Sequence, residues 1–171
     1  MTQTNRYDPD EVRTWLSSMK DELKTILSDN KKAPRMLGIK TGGVLVANEL
    51  HRALDLKDPA GELNISFYRD DFSRIGLHPQ VGASNIPFSV DGEIIILVDD
   101  VLYSGRTIRA AMNEIFDFGR PERIILATLI ERSDGRELPI CADVIGQSLS
   151  LAKGQNIKLQ DDFSLEVEAR L

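Results

Sequence analysis

Two adjacent carboxylates, Asp99 and Asp100, stand between an apolar run and a small polar turn, and this order suggests a chemistry. Ile94 to Val98 are unbroken, rich in β-branched residues and too short for a lone helix, which predicts a strand buried on both faces of a parallel sheet. The acids fall where that strand is expected to end. Leu102 to Arg106 turn through Ser104 and Gly105, and a helix is predicted from Thr107, with Ile108, Ala111, Met112, Ile115 and Phe116 on one face. Backbone N–H groups of Ser104 to Thr107 at a helix N-terminus suit a phosphate. The hydroxyls of Ser104 and Thr107 can close around its oxygens, and the two acids can accept hydrogen bonds from the vicinal hydroxyls of a sugar. Phosphate at one end and diol at the other describe a ribose 5-phosphate. The alternatives are a Walker-B-like strand end, which needs a G-x-x-x-x-G-K loop that this chain lacks, or an acidic turn with no ligand.

A second strand–loop–helix unit precedes it. Met36 to Ile39 predict a short strand, Lys40-Thr41-Gly42-Gly43 a turn, and a helix follows from about Val44. Glycines let a backbone approach an anion and Lys40 adds positive charge, so this loop is the natural place for pyrophosphate beside the 99–107 loop. Upstream, Asp8-Pro9-Asp10-Glu11 is a helix start with an N-cap acid, Pro at the first helical position and a capping-box Glu. Val12, Trp15, Leu16, Met19, Leu23, Ile26 and Leu27 make the stripe that packs this helix on the sheet. His51 reads as a surface or packing residue rather than a base.

Leu63, Ile65 and Phe67 alternate with polar residues and predict a strand with one covered face, running into Arg69-Asp70-Asp71. Phe72 to Phe88 have no periodicity and are punctuated by Gly76, Pro79, Gly82 and Pro87, which reads as a flexible lid between two site segments. Gly119-Arg120-Pro121 stops the helix after the acid pair. Ile124 to Ile130 predict another buried parallel strand, Glu131 to Leu138 a charged loop, and Val144-Ile145-Gly146 a short strand at the site rim. Phe163, Leu165 and Val167 suggest a terminal edge strand. Strands alternating with helices imply an α/β fold with a doubly wound parallel sheet, expected as a single domain over 1–171.

Composition narrows the setting. The chain has 171 residues, 42% hydrophobic, with one cysteine, Cys141, so neither an internal disulfide nor a cysteine-based metal cluster can form. No apolar run approaches a membrane span and the first residues lack a signal pattern, so a cytoplasmic protein without a membrane partner is expected. The net charge of −6 gives no general attraction to nucleic acid. Basic residues nevertheless gather before position 41, where Lys20, Lys24, Lys31, Lys32 and Arg35 could make a local strip.

The 97–114 stretch, LVDDVLYSGRTIRAAMNE, resembles the phosphoribosyl pyrophosphate (PRPP) signature of type I phosphoribosyltransferases. With GIKTGG (38–43), SFYRDDFS (66–73), FGRP (118–121), RELPI (136–140) and IG (145–146), the chain resembles the PyrR family of pyrimidine-operon regulators and uracil phosphoribosyltransferases over nearly its whole length. The resemblance implies a type I phosphoribosyltransferase fold and transfer of phosphoribosyl from PRPP to uracil, giving UMP and pyrophosphate. Lys40, Thr41, Gly42 and Gly43 would hold the pyrophosphate. Asp99 and Asp100 with Val101, Leu102, Tyr103, Ser104, Gly105, Arg106 and Thr107 would hold the ribose 5-phosphate, and Val144 and Ile145 would border the base. Arg69 is an expected anion contact and 69–88 the lid, whereas Arg106 has an equally good structural reading. Mg²⁺ would be carried mainly by PRPP oxygens and water, without a dedicated protein ligand set.

The resemblance further implies a homodimer or higher homo-oligomer, and a regulator that senses uridine nucleotides and binds a pyrimidine-operon transcript. Many relatives carry Arg where this chain has Gly42, although proteobacterial-looking ones share Gly-Gly. Gram-positive regulators carry Arg, Tyr and Lys where it has Cys141, Val144 and Gln147. The loss of cations at 141 and 147 leads us to expect weak, salt-dependent RNA binding at most. For the lid, amide hydrogen exchange across 72–88 is expected to slow when PRPP or UMP is added; equal exchange with and without ligand contradicts that role.

Overall fold

Residues 6–65 and 83–169 are described in a computed structural model of the chain. Among them the predicted central strand is β4 (Ile94–Leu102), flanked by β2 (Arg35–Ile39) and β5 (Arg123–Arg132), with β3 (Gly61–Leu63) and β6 (Val144–Leu149) outside them. The order is β3-β2-β4-β5-β6 and every pairing is parallel. β4 does not end at the acids. It runs on to Leu102, because β5 keeps offering ladder partners: Asp99 lies opposite Thr128, and Leu102 opposite Glu131. The same extension moves Glu131 and Arg132 from the expected loop into β5.

Alternation along β4 divides its apolar run between two cores. Ile94, Ile96 and Val98 pack with α1 (Pro9–Leu27) and α2 (Gly42–Ala53) on one face. Ile95 and Leu97 pack with Ile108, Ala111 and Ile115 of α3 (Arg106–Phe118) on the other. Helices on both faces make the sheet doubly wound. Fully burying each such side chain contributes about 1.5–3 kcal/mol, which is why the central strand tolerates no polar residue before Asp99.

Helix α1 begins as expected: Asp8 Oδ1 accepts from Asp10 N and Glu11 N at 2.9 and 3.0 Å, and Glu11 Oε2 accepts from Asp8 N at 3.0 Å. Its stripe buries Val12, Leu16, Met19 and Leu23, with Trp15, Ile26 and Leu27 partly covered. α2 starts two residues before Val44. In α3, Phe116 is 57% exposed rather than on the core face. Eight residues on from Ile108 it has turned about 80° round the helix, past the edge of the covered stripe.

The C-terminal region departs furthest from expectation. β8 (Leu165–Ala169) is not an edge strand but the centre of a small antiparallel sheet, ordered β1-β8-β7, between β1 (Arg6–Tyr7) and β7 (Gln155–Leu159). Its second neighbour comes from the opposite end of the chain, and the ring of Tyr7 meets Trp15 of α1 edge-on at 5.4 Å.

The strand expected from Leu63 begins at Gly61 and its ladder ends at Leu63, with Leu63 and Ile65 buried as the alternation required. Phe67, Arg69 and the 69–82 part of the expected lid lie outside the described residues. The 83–88 part is pinned to the body of the protein. Asn85 and Glu62 exchange both backbone hydrogen bonds at 2.8 Å, Ser84 Oγ accepts from Asn64 N at 2.8 Å, and Ile86 and Phe88 pack on the α3-side core.

Ser84 also donates its hydroxyl to Glu114 Oε1 on α3. Glu114 is buried, and its Oε2 has no partner among the described residues. Burial, together with nearby Asp117, pushes the carboxyl above its ordinary range against the opposing Ser84 bond. With the folded value raised, the contribution of Glu114 to stability is full below the ordinary carboxyl pKa and is lost as pH rises through the folded value. Glu114→Gln is therefore expected to raise Tm at neutral pH, with the advantage over the parent shrinking towards pH ~4. Thermal melts across pH check this; a variant less stable at pH 7 than the parent contradicts it.

Candidate functional site

At the carboxyl ends of β2 and β4 lies a cavity of about 740 Å³. Its walls are Lys40, Thr41 and Gly42 from the β2–α2 turn, Leu45 and Asn48 of α2, Asp99, Asp100 and Val101 of β4, and Thr107 in the first turn of α3. The two loops singled out in the sequence therefore meet. The remaining wall, Lys158 to Asp161 at the end of β7, was not anticipated. Apolar Ile157 and Leu159 alternate with Lys158 there, which marks a strand, but nothing local says the hairpin covers the sheet end.

Both helices that point into the cavity start without an anion of their own. Thr41 and Gly105 at the N-caps make no side-chain cap bond, and neither first turn contains an acid. Each presents N–H groups and the positive end of its dipole. The two termini are thus ready to receive two anionic groups on either side of the acid pair.

The glycines do more than admit an anion. A Cβ on Gly43 would lie 2.6 Å from Val98 O and 3.0 Å from Asp99 Cα, and one on Gly38 would lie 2.8 Å from Val44 Cα. A Cβ on Gly42 would overlap the Asp100 carboxylate. The three together let α2 settle directly on the end of β4. The Lys40–Thr41 peptide within this turn is cis. Lys40 N donates to Leu63 O at 2.9 Å, and its ammonium lies 3.4 Å from Glu62, so the cation sits on the β3 side of the cavity.

Both acids lie against the head of α2: a Cβ on Gly43 would stand 3.2 Å from Asp99 Oδ1, and one on Gly42 would overlap the Asp100 carboxylate. Both still border the cavity. Asp99 is 5% exposed and its Oδ1 accepts from Asp100 N at 2.9 Å; Asp100 Oδ1 accepts from Val101 N at 3.0 Å.

In the 101–107 turn, Leu102 is buried and leaves only its backbone for a ligand. Gly105 has φ +91°, a left-handed conformation suited to glycine, and a Cβ there would meet Ile140 Cγ1 at 3.0 Å. Ser104 Oγ accepts from Arg106 N at 3.2 Å. The 136–140 stretch, which the sequence offered without a role, braces this turn. Ser104 O accepts from Glu137 N and Leu138 N, both at 3.0 Å. Arg136 donates to Tyr103 O and, at 3.0 Å, to Glu131 Oε1.

Two side chains expected at the phosphate point elsewhere. Arg106 Nε donates to Glu137 Oε2 at 2.6 Å. The Tyr103 ring lies under the Arg132 guanidinium, 4.0 Å from it, and borders a separate 280 Å³ cavity with Arg132, Asp134 and Gln155. The polar tyrosine is drawn there by a buried cation: Arg132 is held by both carboxylate oxygens of Asp134 at 3.2 and 2.6 Å and by Gln155 O at 3.2 Å. That guanidinium keeps the Asp134 carboxyl below its usual range.

At the expected base rim, the Val144 side chain is closed within the α1-side core, so a base contact by that side chain does not form; Ile145 is partly exposed. His51 Nε2 lies 2.6 Å from Asp58 O on the surface, in keeping with a non-catalytic role. Of the expected basic strip, Lys20 pairs with Asp21, Lys32 with Glu93, and Arg35 with Glu93 and Asp58. Lys24 and Lys31 border a 280 Å³ cavity where α1 and α2 end.

The glycine contacts lead to a comparison of two variants. Gly43→Ala meets backbone atoms and is expected to destabilise by about 1–3 kcal/mol. Gly42→Ala meets a carboxylate that can rotate and is expected to change stability by less than about 1 kcal/mol. Urea unfolding measures both; equal losses contradict the backbone contact.

The phosphoribosyl transferase domain model matches residues 10–165. A protein of Nitrosococcus oceani named "Bifunctional protein PyrR" is 60% identical over 131 residues, covering 75% of this chain and 73% of that one. A protein of the same name from Pseudomonas paraeruginosa is 49% identical over 157 residues, covering 91% and 92%. Among solved structures, a Trypanosoma cruzi hypoxanthine phosphoribosyltransferase described in complex with the product IMP matches with a TM-score of 0.63 at 18% identity, over 85% of this chain and 76% of that chain. A hypoxanthine-guanine phosphoribosyltransferase from Bacillus anthracis matches with a TM-score of 0.64 at 17% identity, over 81% and 80%. These structures share the fold.

Proposed function

This chain belongs to the phosphoribosyl transferase domain family and, within it, to the PyrR proteins, and from that membership we propose that it is a cytoplasmic uracil phosphoribosyltransferase. It transfers phosphoribosyl from PRPP to uracil, releasing pyrophosphate and forming UMP. The observation that carries this reading is the cavity between two uncapped helix N-termini with two carboxylates between them. It offers one place for a 5-phosphate, one for a pyrophosphate and acceptors for the ribose that joins them.

In this reading the head of α3 and the Thr107 hydroxyl take the 5-phosphate, held by a turn that residues 136–140 brace. Asp99 and Asp100 accept hydrogen bonds from the ribose hydroxyls. The Lys40–Gly43 turn and the head of α2 take the pyrophosphate, with Gly42 supplying backbone rather than the cation that many relatives place there. The bond from the anomeric carbon to the pyrophosphate oxygen breaks as the bond to the uracil nitrogen forms, and that nitrogen's proton leaves. Positive charge developing at the anomeric carbon has the character met in glycosyl transfer, and the nearby carboxylates stabilise it.

Two carboxylates facing an open polar cavity are a fitting donor set for a hydrated Mg²⁺ that travels with the substrate, and no three His, Cys, Asp or Glu side chains converge among the described residues. Held there, Mg²⁺ would supply charge neutralisation to the leaving pyrophosphate. Ile145 borders the base, and Arg69 and the segment that includes it complete the anion site and exclude water.

The decisive experiment is a uracil-plus-PRPP assay with Mg²⁺, run beside other bases; turnover restricted to uracil is expected. Asp99→Asn with Asp100→Asn is expected to lose about 1.5–3 kcal/mol of transition-state binding per residue while keeping the fold. Near-normal turnover by the double variant removes both acids from the site.

The name its relatives carry, "bifunctional", favours a second role as a uridine-nucleotide-sensing, homo-oligomeric regulator that binds a pyrimidine-operon leader. Lys24 and Lys31 form no ion pair among the described residues, while Lys20, Lys32 and Arg35 face acids. RNA binding is therefore expected to be weak and steeply salt-dependent. A mobility-shift titration showing tight, UMP-enhanced binding at physiological salt, lost with a scrambled leader, reverses this order.

A further inference from the structure

At the carboxyl end of the sheet, one row of paired residues crosses three strands: Asp99 of β4, Thr128 of β5 and Ile145 of β6. Paired residues in parallel strands project to the same face, with neighbouring strands about 4.8 Å apart. Thr128 faces the α3 side, as Leu126 two residues before it does, while its flanking residues Ala127 and Leu129 pack on the other core. Thr128 thus stands between the acid proposed for the ribose and the residue proposed for the base rim. It is fully buried, and its hydroxyl has no hydrogen-bond partner among the described residues.

A buried hydroxyl without a partner destabilises a fold relative to a valine of the same shape. The strand on either side of it, Ile125 to Ile130, is otherwise entirely apolar. Its β-branched neighbours show that valine would suit the local backbone equally well. Asp99, its cross-strand partner, accepts the Asp100 N–H through Oδ1. Asp99 already borders the cavity, and its carboxylate can accept from a ribose hydroxyl while keeping that bond.

We propose that Thr128 is a positioning residue for Asp99: when the sugar occupies the cavity, its hydroxyl donates to the Asp99 carboxylate and fixes it towards the ribose. Thr128 itself stays beneath the cavity and does not touch the ligand. The proposal rests on the ribose role of Asp99 stated above. It explains why a hydroxyl is kept in an otherwise apolar strand.

The test compares Thr128→Val and Thr128→Ser with the parent protein, measuring Tm, PRPP binding by calorimetry, and KM and kcat separately. Thr128→Val is expected to melt at or above the parent temperature while PRPP affinity falls about tenfold, the loss typical of one hydrogen bond to a charged group. The change should appear in KM for PRPP rather than for uracil, and Thr128→Ser should restore it. Unchanged PRPP affinity in Thr128→Val overturns the proposal while leaving the activity intact. So does a Thr128→Val protein that melts well below the parent, since its hydroxyl would already be partnered in the fold. Failure of Thr128→Ser to rescue reduces the effect to packing and also overturns it. A parent protein that binds PRPP without turning it over leaves the binding comparison in force, whereas one that neither binds nor uses PRPP overturns the enzymatic reading, and this proposal with it.

Discussion

The arrangement depends on how closely the head of α2 lies against the end of β4. Gly38, Gly42 and Gly43 are the places where a single methylene would collide with backbone or with the acid pair. This contact sets the floor of the cavity, brings the N–H groups of α2 beside Asp100, and aligns the dipoles of α2 and α3 at one end of the sheet. Parallel strands with helices between them place helix N-termini at the strands' carboxyl ends. The glycines convert that tendency into a site by closing the gap. An anion there meets donors and dipoles already in place, so little reorganisation is needed when charge arrives.

A turn proposed to hold a phosphate through backbone groups must be held itself. The second support comes from residues 136–140, through the two N–H groups on Ser104 O, the Arg136 guanidinium on Tyr103 O and the Arg106–Glu137 pair. Arg106–Glu137 is half exposed, so its worth is modest. The backbone bonds and the contact of Ile140 with left-handed Gly105 are better placed to keep the turn in shape. A motif of charged and apolar residues outside the cavity thereby serves the residues inside it.

What the sequence made legible was local. An apolar β-branched run, two acids, a Ser-Gly turn and a 3.6-residue stripe predict strand, site and helix without reference to the rest of the chain, and the α1 capping box is equally self-contained. Features that depend on a distant partner were not legible. β4 outlasts its apolar residues because β5 lies alongside it, and β8 is a central strand because Arg6 and Tyr7 pair with it. The directions of the Tyr103 and Arg106 side chains are set by Arg132 and Glu137, which no spacing rule connects to that turn. Val144 looked like a rim residue because it opens a strand near the site. Its side chain faces the α1 side, and only the register of β6 could reveal that.

Charge balance favours the proposed reading in which the cavity holds its ligand through backbone and dipoles. Its lining carries the carboxylates of Asp99, Asp100 and Asp161 against the ammonium groups of Lys40 and Lys158. Lys40 already lies near Glu62, and no Arg stands at position 42. Side chains alone would therefore repel a pyrophosphate at close range, where attraction and repulsion are least screened. Two uncapped helix N-termini offset part of that repulsion. A divalent cation carried by the proposed ligand would offset more, and the same carboxylates that repel a bare polyanion would then attract its metal complex. The third acid follows β7, a strand whose first residue, Gln155, accepts from Arg132 through its carbonyl. The small C-terminal sheet thus adds both a wall and a charge to the site, and it favours a ligand that brings its own cation over one that does not.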